Sequence, residues 1–277
     1  MNESILQITI LQVALGYVFV LVVVALLKTR GIAREKELLW ASLRMTLQLT
    51  LVGFLLVWVF DIANLWLSAL IVFLMLTFAT YTIIRKFYHR LSPAMMRRIA
   101  LSVPLGTLPV LGYFMAVVVP VRPMYDPQYL IPITGMIIGN SMTGISLGLQ
   151  TMLNHYEREG ALIEEALMLG ATPKEASRTL INQSFDAALL PTINSMLGMG
   201  IIFLPGMMTG QILSGVVPTT AILYQLAIMM GILGGVSLTT YTFIMLGYRT
   251  FFNAQAQLID SPTKVRSQHH DQNHSKK

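Results

Sequence analysis

Long apolar runs constrain the fold of this chain of 277 residues more than any other feature. They lie at about 5–27, 43–60, 65–84, 99–119, 130–153, 187–203 and 219–248. Each run is close to the roughly 20 residues that an α-helix needs to cross the hydrocarbon core of a bilayer. Hydrophobic residues make up 55% of the sequence and charged residues only 12%, which is unlike a soluble domain. The sequence therefore predicts an all-α polytopic membrane protein with about seven transmembrane helices.

The basic residues predict how the chain is oriented. All but two of the 19 Lys and Arg residues follow the first, third and seventh runs, or lie between the fifth and sixth runs. These places share one side of the membrane, and loops rich in Lys and Arg stay in the cytoplasm. We therefore expect a multi-pass protein of the cell inner (plasma) membrane, in contact with lipid, with the N-terminus outside and the C-terminus in the cytoplasm. Because this placement also explains the net charge of +6, no nucleic-acid partner is expected.

The same pattern predicts the domain organisation. Residues 1–260 are expected to form a single transmembrane domain, and residues 261–277 a polar, disordered cytoplasmic tail. Two interpretations of the three tail histidines stay open, loose metal binding and plain solvation. The stretch 204–218 is too short and mixed to span the membrane, and is either an outer loop or a re-entrant segment.

A charged, helix-forming interval, residues 157–191, separates the fifth run from the sixth and is called the elbow here. Gly170 is a natural left-handed residue at the end of a first helix. Thr172 can cap a second helix, with Pro173 at its first position and Glu175 completing a capping box. The pattern predicts a cytoplasmic helix–turn–helix that is rigid enough to transmit force, and it favours a docking lever over a catalytic site.

Few side chains in the apolar runs are suited to a substrate or an ion. Asp186 is the only acidic residue near the inner half of a run. Candidate polar companions on a substrate path are Asn140, Gln183 and Asn194. The alternative, that Asp186 caps a helix at the membrane interface, stays open. Met207 and Met208 belong to a set of 18 methionines whose thioethers suit Cu(I), but methionine is also a common packing residue. Packing is the favoured interpretation, and the sequence predicts no set of metal ligands.

The fifth run carries glycines at a spacing of four, namely Gly135 with Gly139 and Gly144 with Gly148. Small residues at this spacing let helix backbones approach closely in lipid. Packing within one chain and packing between subunits explain the pattern equally well.

The motifs of common enzymes do not fit the chain. Residues 144–148, GISLG, match the G-x-S-x-G pattern of a serine nucleophile, but that pattern needs a strand–turn–helix and lies here in a membrane run. None of the five His residues lies in a run, and HExxH and Walker A sequences are absent. The chain also has no Cys. We therefore expect no catalytic residues, no enzyme and no cofactor bound by this chain.

The elbow resembles the EAA loop of ABC-transporter permeases. Glu164-Glu165-Ala166, three further residues and Gly170 follow its pattern, with Glu at the second position where the loop has Ala. A wider match comes from GMIIGNSM at 135–142, LGATPKEAS at 169–177, AALLPTINS at 187–195 and LPGMMTGQILSG at 204–215. Together these segments are similar to the FetB-type (iron-export) permease family, to which a plant aluminium-tolerance permease is related. The resemblance covers most of the chain and is strongest over 131–258.

The resemblance implies the permease subunit of an ABC transporter that exports iron and serves metal homeostasis and resistance to oxidative stress. It implies a cytoplasmic ATPase subunit that holds ATP and Mg, and a complex of two permeases with two ATPases. The residues it implies for docking to the ATPase are Glu164, Glu165, Ala166, Gly170, Thr172, Pro173 and Glu175.

Two alternatives remain beside this interpretation. The first is an ABC permease for another solute, such as a nucleotide-sugar or a different metal, because iron rests on the resemblance alone. The second is a non-transporting membrane assembly or regulatory subunit. A tightly co-purifying ATPase whose activity rises on complex formation would favour transport.

Overall fold

The computed structural model describes residues 8–259, so the predicted tail at 261–277 lies outside the described residues. All regular structure in this part of the chain is helical, without a β-strand. The helices are α1 (Ile10–Thr29), α2 (Glu35–Ile62), α3 (Leu65–Phe87), α4 (Pro93–Tyr113), α5 (Pro127–Met168), α6 (Pro173–Ala176), α7 (Arg178–Gly198), α8 (Gly206–Leu213) and α9 (Pro218–Gly247). A π-helical turn at Phe114–Val118 extends α4, and short 3-10 turns follow α3 and α9.

Six of these helices, α1 to α5 and α9, are long and apolar enough to cross a membrane, among the residues described. The prediction of a polytopic all-α membrane protein is therefore confirmed, while the count of seven spans stays a prediction. The helix that contains most of the predicted sixth run, 187–203, has different bounds from that run. This helix, α7, begins at Arg178 and ends at Gly198, because the chain then turns at Gly200, whose φ is +85° and whose N–H donates to the Phe203 carbonyl at 2.9 Å.

By their contacts the described residues form two compact units, and the first comprises residues 8–63 with 213–215. Its main elements are α1 and α2. The hydroxyl of Tyr17 in α1 donates to the Ser42 carbonyl of α2 at 3.3 Å and also contacts the Thr46 hydroxyl. No residue of α1 is buried within the described part of the chain.

The second unit, residues 64–212 and 216–259, contains the core. Helices α4, α5 and α9 pack on one another, with α7 against α5 and α9, and α3 against α4 and α5. The most deeply buried large side chains come from α5 and α9, and include Ile137, Ile145, Phe243 and Ile244. This arrangement places α5 at the centre of the unit.

Glycines allow these helices to approach closely. A Cβ built on Gly106 of α4 would lie 2.3 Å from the Cα of Thr239 in α9. A Cβ on Gly144 of α5 would lie 2.8 Å from Val236 of α9 and 3.3 Å from the Ala188 carbonyl of α7. Such contacts exclude any larger residue without movement of a helix, and van der Waals contact of this kind holds helices together in lipid.

The spaced glycines of the fifth run serve mainly this internal packing. A Cβ built on Gly148 would lie 3.0 Å from the Ser184 carbonyl oxygen of α7. A Cβ built on Gly135 would lie 3.2 Å from the Met75 side chain of α3. Gly139, in contrast, has nothing within 4 Å. Packing within the chain therefore accounts for Gly135, Gly144 and Gly148.

The Gly106 crossing predicts a stability effect. Gly106→Ala should lower the Tm of the purified protein in detergent, because α4 and α9 would have to separate to admit the methyl group. Overpacking of this kind costs about 1–3 kcal/mol. Gly112→Ala in the same helix is the control, since nothing lies within 4 Å of its built Cβ and alanine favours the helix. Equal Tm values for the two variants would contradict the close crossing.

Candidate functional site

Helix α5 runs without a break from the fifth apolar run into the first part of the elbow. With 42 residues α5 is about 63 Å long, roughly twice the thickness of a bilayer core. About half of its length therefore lies beyond the hydrocarbon, and this half includes the start of the elbow at Glu157. The predicted fifth run, 130–153, is thus only the first part of one helix, and a displacement of its membrane part would move the elbow with it.

Two side-chain contacts hold this extension of α5 in place. The Arg90 guanidinium, just after α3, donates to both carboxylate oxygens of Glu157, at 3.2 and 2.9 Å, and to the Asn154 side chain at 2.9 Å. The ring of Tyr156 stacks on Phe251, just after α9, with centroids 4.1 Å apart. The extension is therefore tied to the ends of two other membrane helices.

The end of α5 has the geometry of a Schellman motif. The N–H of Gly170 donates to the Leu167 carbonyl and that of Ala171 to the Ala166 carbonyl, both at 3.0 Å. Gly170 has a φ of +92°, a conformation that side chains with a Cβ rarely adopt. The predicted left-handed end of the helix is therefore confirmed, with the last helical residue at Met168.

The capping box predicted for the second half of the elbow is also present. The Glu175 N–H donates to the Thr172 hydroxyl at 3.3 Å, and the Thr172 N–H donates to the Glu175 carboxylate at 2.9 Å, with Pro173 at the first helical position. The helix so begun, α6, has only four residues, because Ser177 leaves helical geometry before α7 starts. The turn is thus short and has both of its ends capped.

One side of α5 in the elbow is exposed and carries both acidic and apolar groups. Ile163 and Leu167 pack against the core. The carboxylates of Glu164 and Glu165 are exposed, and Ala166 is half-buried. The large side chains on the exposed side are Leu162, Met168 and Leu169, exposed by 61%, 83% and 89%. We call Leu162, Glu164, Glu165, Met168 and Leu169 the elbow surface.

The apolar members of the elbow surface were missed in the sequence. A local sequence feature could have revealed them. Met168 and Leu169 are large apolar residues at the charged end of α5, where Ile163 and Leu167 already provide the side chains that pack on the core. Exposed apolar groups rimmed by charge mark protein contact surfaces. The arrangement suits the elbow surface to binding another protein.

In the structure, the polar side chains predicted for a substrate path do not contact one another through hydrogen bonds or ion pairs. Asn140, Asp186 and Asn194 are all exposed. The Asn140 side-chain amide donates to the Met136 carbonyl of its own helix at 2.7 Å. Within residues 8–259 no ion pair or hydrogen bond connects the Asp186 carboxylate to either amide.

The exposed polar residues nevertheless share helix faces. On α5 the exposed positions Gly139, Asn140, Thr143 and Gln150 follow helical spacing, and on α7 Gln183, Asp186, Leu190, Asn194 and Leu197 do the same. Polar side chains on a membrane helix avoid lipid, because unpaired polar groups are costly there. These faces are therefore suited to contact with protein or with a water-filled path.

Buried hydroxyls form a second polar set that sequence reasoning did not identify. The hydroxyls of Thr134, Ser141, Ser184 and Thr240 are buried without a hydrogen-bond partner in the described part of the chain. Ser141 and Thr240 lie beside the α5–α9 crossing, 3.4 and 3.3 Å from the built Cβ atoms of Gly235 and Gly144. Their sequence signal is weak, because a membrane Ser or Thr usually bonds to its own helix.

The methionines are mostly packing residues. Met208 and Met229 are buried, and Met196, Met199 and Met207 pack against the core. Among residues 8–259 no group of three or more His, Cys, Asp or Glu side chains is placed to hold a metal ion. A methionine site for a soft metal gains no support from this arrangement.

Comparison with known proteins gives a consistent set of relatives. The UPF0014 family, described as an uncharacterised protein family, matches residues 10–252. A UPF0014 membrane protein of Synechocystis sp. is 38% identical over 85% of this chain and 91% of its own length. The "Probable iron export permease protein FetB" of Escherichia coli is 34% identical over 92% and 96%. The "Protein ALUMINUM SENSITIVE 3" of Arabidopsis thaliana is 32% identical over 88% of each chain. No solved structure matches the chain.

The capping box of the elbow predicts a pH effect. The Thr172 hydroxyl and then its N–H, both donating to Glu175, hold the pKa of that carboxyl below its ordinary value. Because the folded pKa is the lower one, the carboxylate stabilises the cap fully at neutral pH and loses this effect as pH falls through the lowered pKa. Thr172→Ala should raise the Glu175 pKa in a carbon-13 NMR titration, whereas Thr172→Ser should keep it low. Equal values in the two variants would rule out the hydroxyl as the cause.

Proposed function

The chain belongs to the UPF0014 family of membrane proteins, and on that premise we propose that it is the membrane-spanning permease subunit of an ABC transporter that exports iron. The observation that carries the proposal is the elbow surface at the end of a single helix that also crosses the membrane. A permease needs such an element, because ATP is hydrolysed in water and the solute moves through the bilayer.

The elbow surface is the proposed docking site for a cytoplasmic ATPase subunit. Met168 and Leu169 would enter an apolar groove of that subunit, and Glu164 and Glu165 would face basic residues at its rim. Gly170 and the capped turn at Thr172, Pro173 and Glu175 fix the direction of the surface. Apolar anchors at the centre of an interface supply most of its affinity, and charges at the rim supply specificity and speed of association. ATP and Mg would be held by the partner subunit.

The rigidity of α5 supports the proposed coupling. Closure of the ATPase subunits on ATP would displace the elbow, and the braces at Arg90–Glu157 and Tyr156–Phe251 would carry this displacement to the ends of α3 and α9. Rigid-body movement of packed helices is an established way to switch a protein between two states. Alternating access of the solute path would follow from such a movement.

A second copy of the chain is proposed to cover the exposed polar faces of α5 and α7. Two copies would place Asn140 and Asp186 along a shared path instead of against lipid. Gly139, which has open space around it, would allow close approach of the second copy. Two permease subunits and two ATPase subunits would complete the transporter.

In this arrangement α7 is the seventh crossing. With 21 residues it is about 32 Å long, which suffices to cross the bilayer core. The polar composition of α7 would then be explained, because this helix would contact protein and the solute path more than lipid. An odd number of crossings agrees with the predicted orientation, with the N-terminus outside and the elbow and C-terminus in the cytoplasm.

Iron is proposed as the solute because of the FetB relative named above, and the family also contains a protein named for aluminium sensitivity. The chain offers oxygen ligands along the exposed faces, namely the Asp186 carboxylate and the Asn140 and Asn194 amides. Carboxylate and carbonyl oxygens suit hard metal cations. A path of scattered oxygen atoms would favour passage of the ion over its retention.

The docking role of the elbow surface gives the first prediction of the proposal. Glu164→Arg combined with Glu165→Arg should abolish co-purification of an ATPase with the tagged chain, because both rim charges are inverted. Met168→Ser with Leu169→Ser should do the same by removing the apolar anchors. Asp61→Arg is the matched control, since it inverts an exposed charge in α2, outside the elbow. Co-purification of an ATPase with all three variants would contradict the docking role.

Iron transport gives the second prediction. Cells that lack the gene should accumulate iron when loaded with it, as measured by mass spectrometry of total metal, and the native protein should restore the normal content. Gly170→Arg should fail to restore it although the protein is inserted, because the new side chain alters the turn that directs the elbow surface. Unchanged metal content in all strains would remove iron as the solute but leave the docking result intact.

A further inference from the structure

A cleft between α7 and α9 is lined by the second half of the elbow and by the end of α9. Apart from Thr172 and Glu175, its lining residues have no role in the proposed function. The cleft has a volume of about 540 Å³ and is closed at one end by α6. We call it the α7–α9 cleft. Its two ends differ in chemistry, and the chemistry of each end identifies one part of a ligand.

The cationic end is formed by Lys174 of α6 and Arg178 at the start of α7. Neither side chain has an ion-pair partner in residues 8–259. The one carboxylate in the cleft, that of Glu175, already accepts hydrogen bonds from the Thr172 hydroxyl and N–H, at 2.6 and 2.9 Å. Together with the Glu175 carboxylate, these two side chains leave a net positive charge at this end of the cleft, which suits it to bind an external anion. Lys and Arg donors suit a phosphate group in particular.

The other end is mainly apolar, although Asn182 also lines the cleft, and it runs along one face of each helix. Ile181 and Phe185 follow Arg178 at the spacing i+3 and i+7 on α7, and Tyr241 and Met245 are four apart on α9. The rings of Phe185 and Tyr241 meet edge to face, with centroids 6.3 Å apart and planes at 80°. This end can accept a hydrocarbon chain but offers little to a small polar ion.

Helix lengths argue that the cleft lies at the level where lipid headgroups meet the hydrocarbon. Tyr241 is six residues before the end of α9 at Gly247, about 9 Å along the helix, and Phe185 is about 10 Å beyond Arg178. Aromatic residues concentrate at this level of a membrane protein, and basic pockets between membrane helices bind lipid headgroups.

We propose that the α7–α9 cleft binds an anionic phospholipid, with the phosphate at Lys174 and Arg178 and an acyl chain along Phe185 and Tyr241. The asymmetry of the cleft carries this inference, because a soluble phosphate would use only the cationic end. The bound lipid would contact α6 and α7 together and thus support the second half of the elbow. The residues proposed to hold the lipid, Lys174, Arg178, Phe185 and Tyr241, have no part in the proposed iron path or ATPase docking, so the lipid site stands or falls separately from the proposed transport.

Native mass spectrometry of the purified full-length chain tests the proposal. The chain in detergent is mixed with phosphatidylglycerol, with phosphatidylcholine or with inorganic phosphate, and the bound fraction of each is measured. Phosphatidylglycerol should be retained preferentially over phosphatidylcholine. Lys174→Gln with Arg178→Gln should lower its retention roughly tenfold or more, since each basic group near a membrane surface contributes about a factor of five to anionic lipid binding.

Matched variants separate the parts of the inference. Arg97→Gln with Arg98→Gln removes two exposed basic residues outside the cleft and should leave retention unchanged. Lys174→Arg with Arg178→Lys keeps both charges and should retain the lipid, which excludes a folding defect as the cause of loss. Phe185→Ala should weaken phosphatidylglycerol without affecting inorganic phosphate. Equal retention in the cleft and control variants would overturn the site, and displacement of the lipid by equimolar inorganic phosphate would overturn the lipid as its ligand.

Discussion

The close crossing of α4, α5, α7 and α9 at glycine positions is the constraint on which the second unit depends. Lipid is as apolar as the helix surfaces, so burial of hydrocarbon drives helix association far less than it does in water. Contact between backbones at Gly106 and Gly144 replaces that driving force. Since these contacts leave little free space, the helices can shift only as packed bodies, and this favours two discrete arrangements over continuous bending.

The proposed coupling would use the length of α5, which could carry a movement of the packed core to the elbow surface. The same helix contains Gly144 at the crossing and Glu164 on the elbow surface, 20 residues or about 30 Å away. A helix between them transmits rotation and translation, provided that its outer half is held. The Arg90–Glu157 ion pair and the Tyr156–Phe251 stack hold it at adjacent positions on α5, next to the ends of α3 and α9. Under the proposed coupling, a force on the elbow surface would thus reach the ends of α3 and α9 as well as α5.

Features that depend on residues close in sequence, such as the membrane helices and the helix caps, could be predicted from the sequence. Hydropathy located most of the membrane helices, and Gly170, Thr172 and Glu175 each encode their cap through chemistry within a few residues. Long-range features were not accessible in this way. The continuity of α5 is hidden by its change from apolar to charged residues, and the end of α7 at Gly198 is set by a turn that closes against Phe203. Likewise, no spacing rule indicates that Met168 faces outward while Leu167 faces the core.

The distribution of oxygen atoms bears on why a transporter of metal ions would lack a compact cage. A site with several carboxylates binds a hard cation tightly, and a tightly bound ion leaves slowly. The exposed faces of α5 and α7 described above instead spread out one carboxylate, that of Asp186, and the amides of Asn140, Gln150, Gln183 and Asn194. Each gives a weak contact on its own, and only a second chain opposite them would bring enough oxygens together for recognition. Selectivity would then arise when the two chains approach and vanish when they separate, which ties binding of the ion to the movement that releases it.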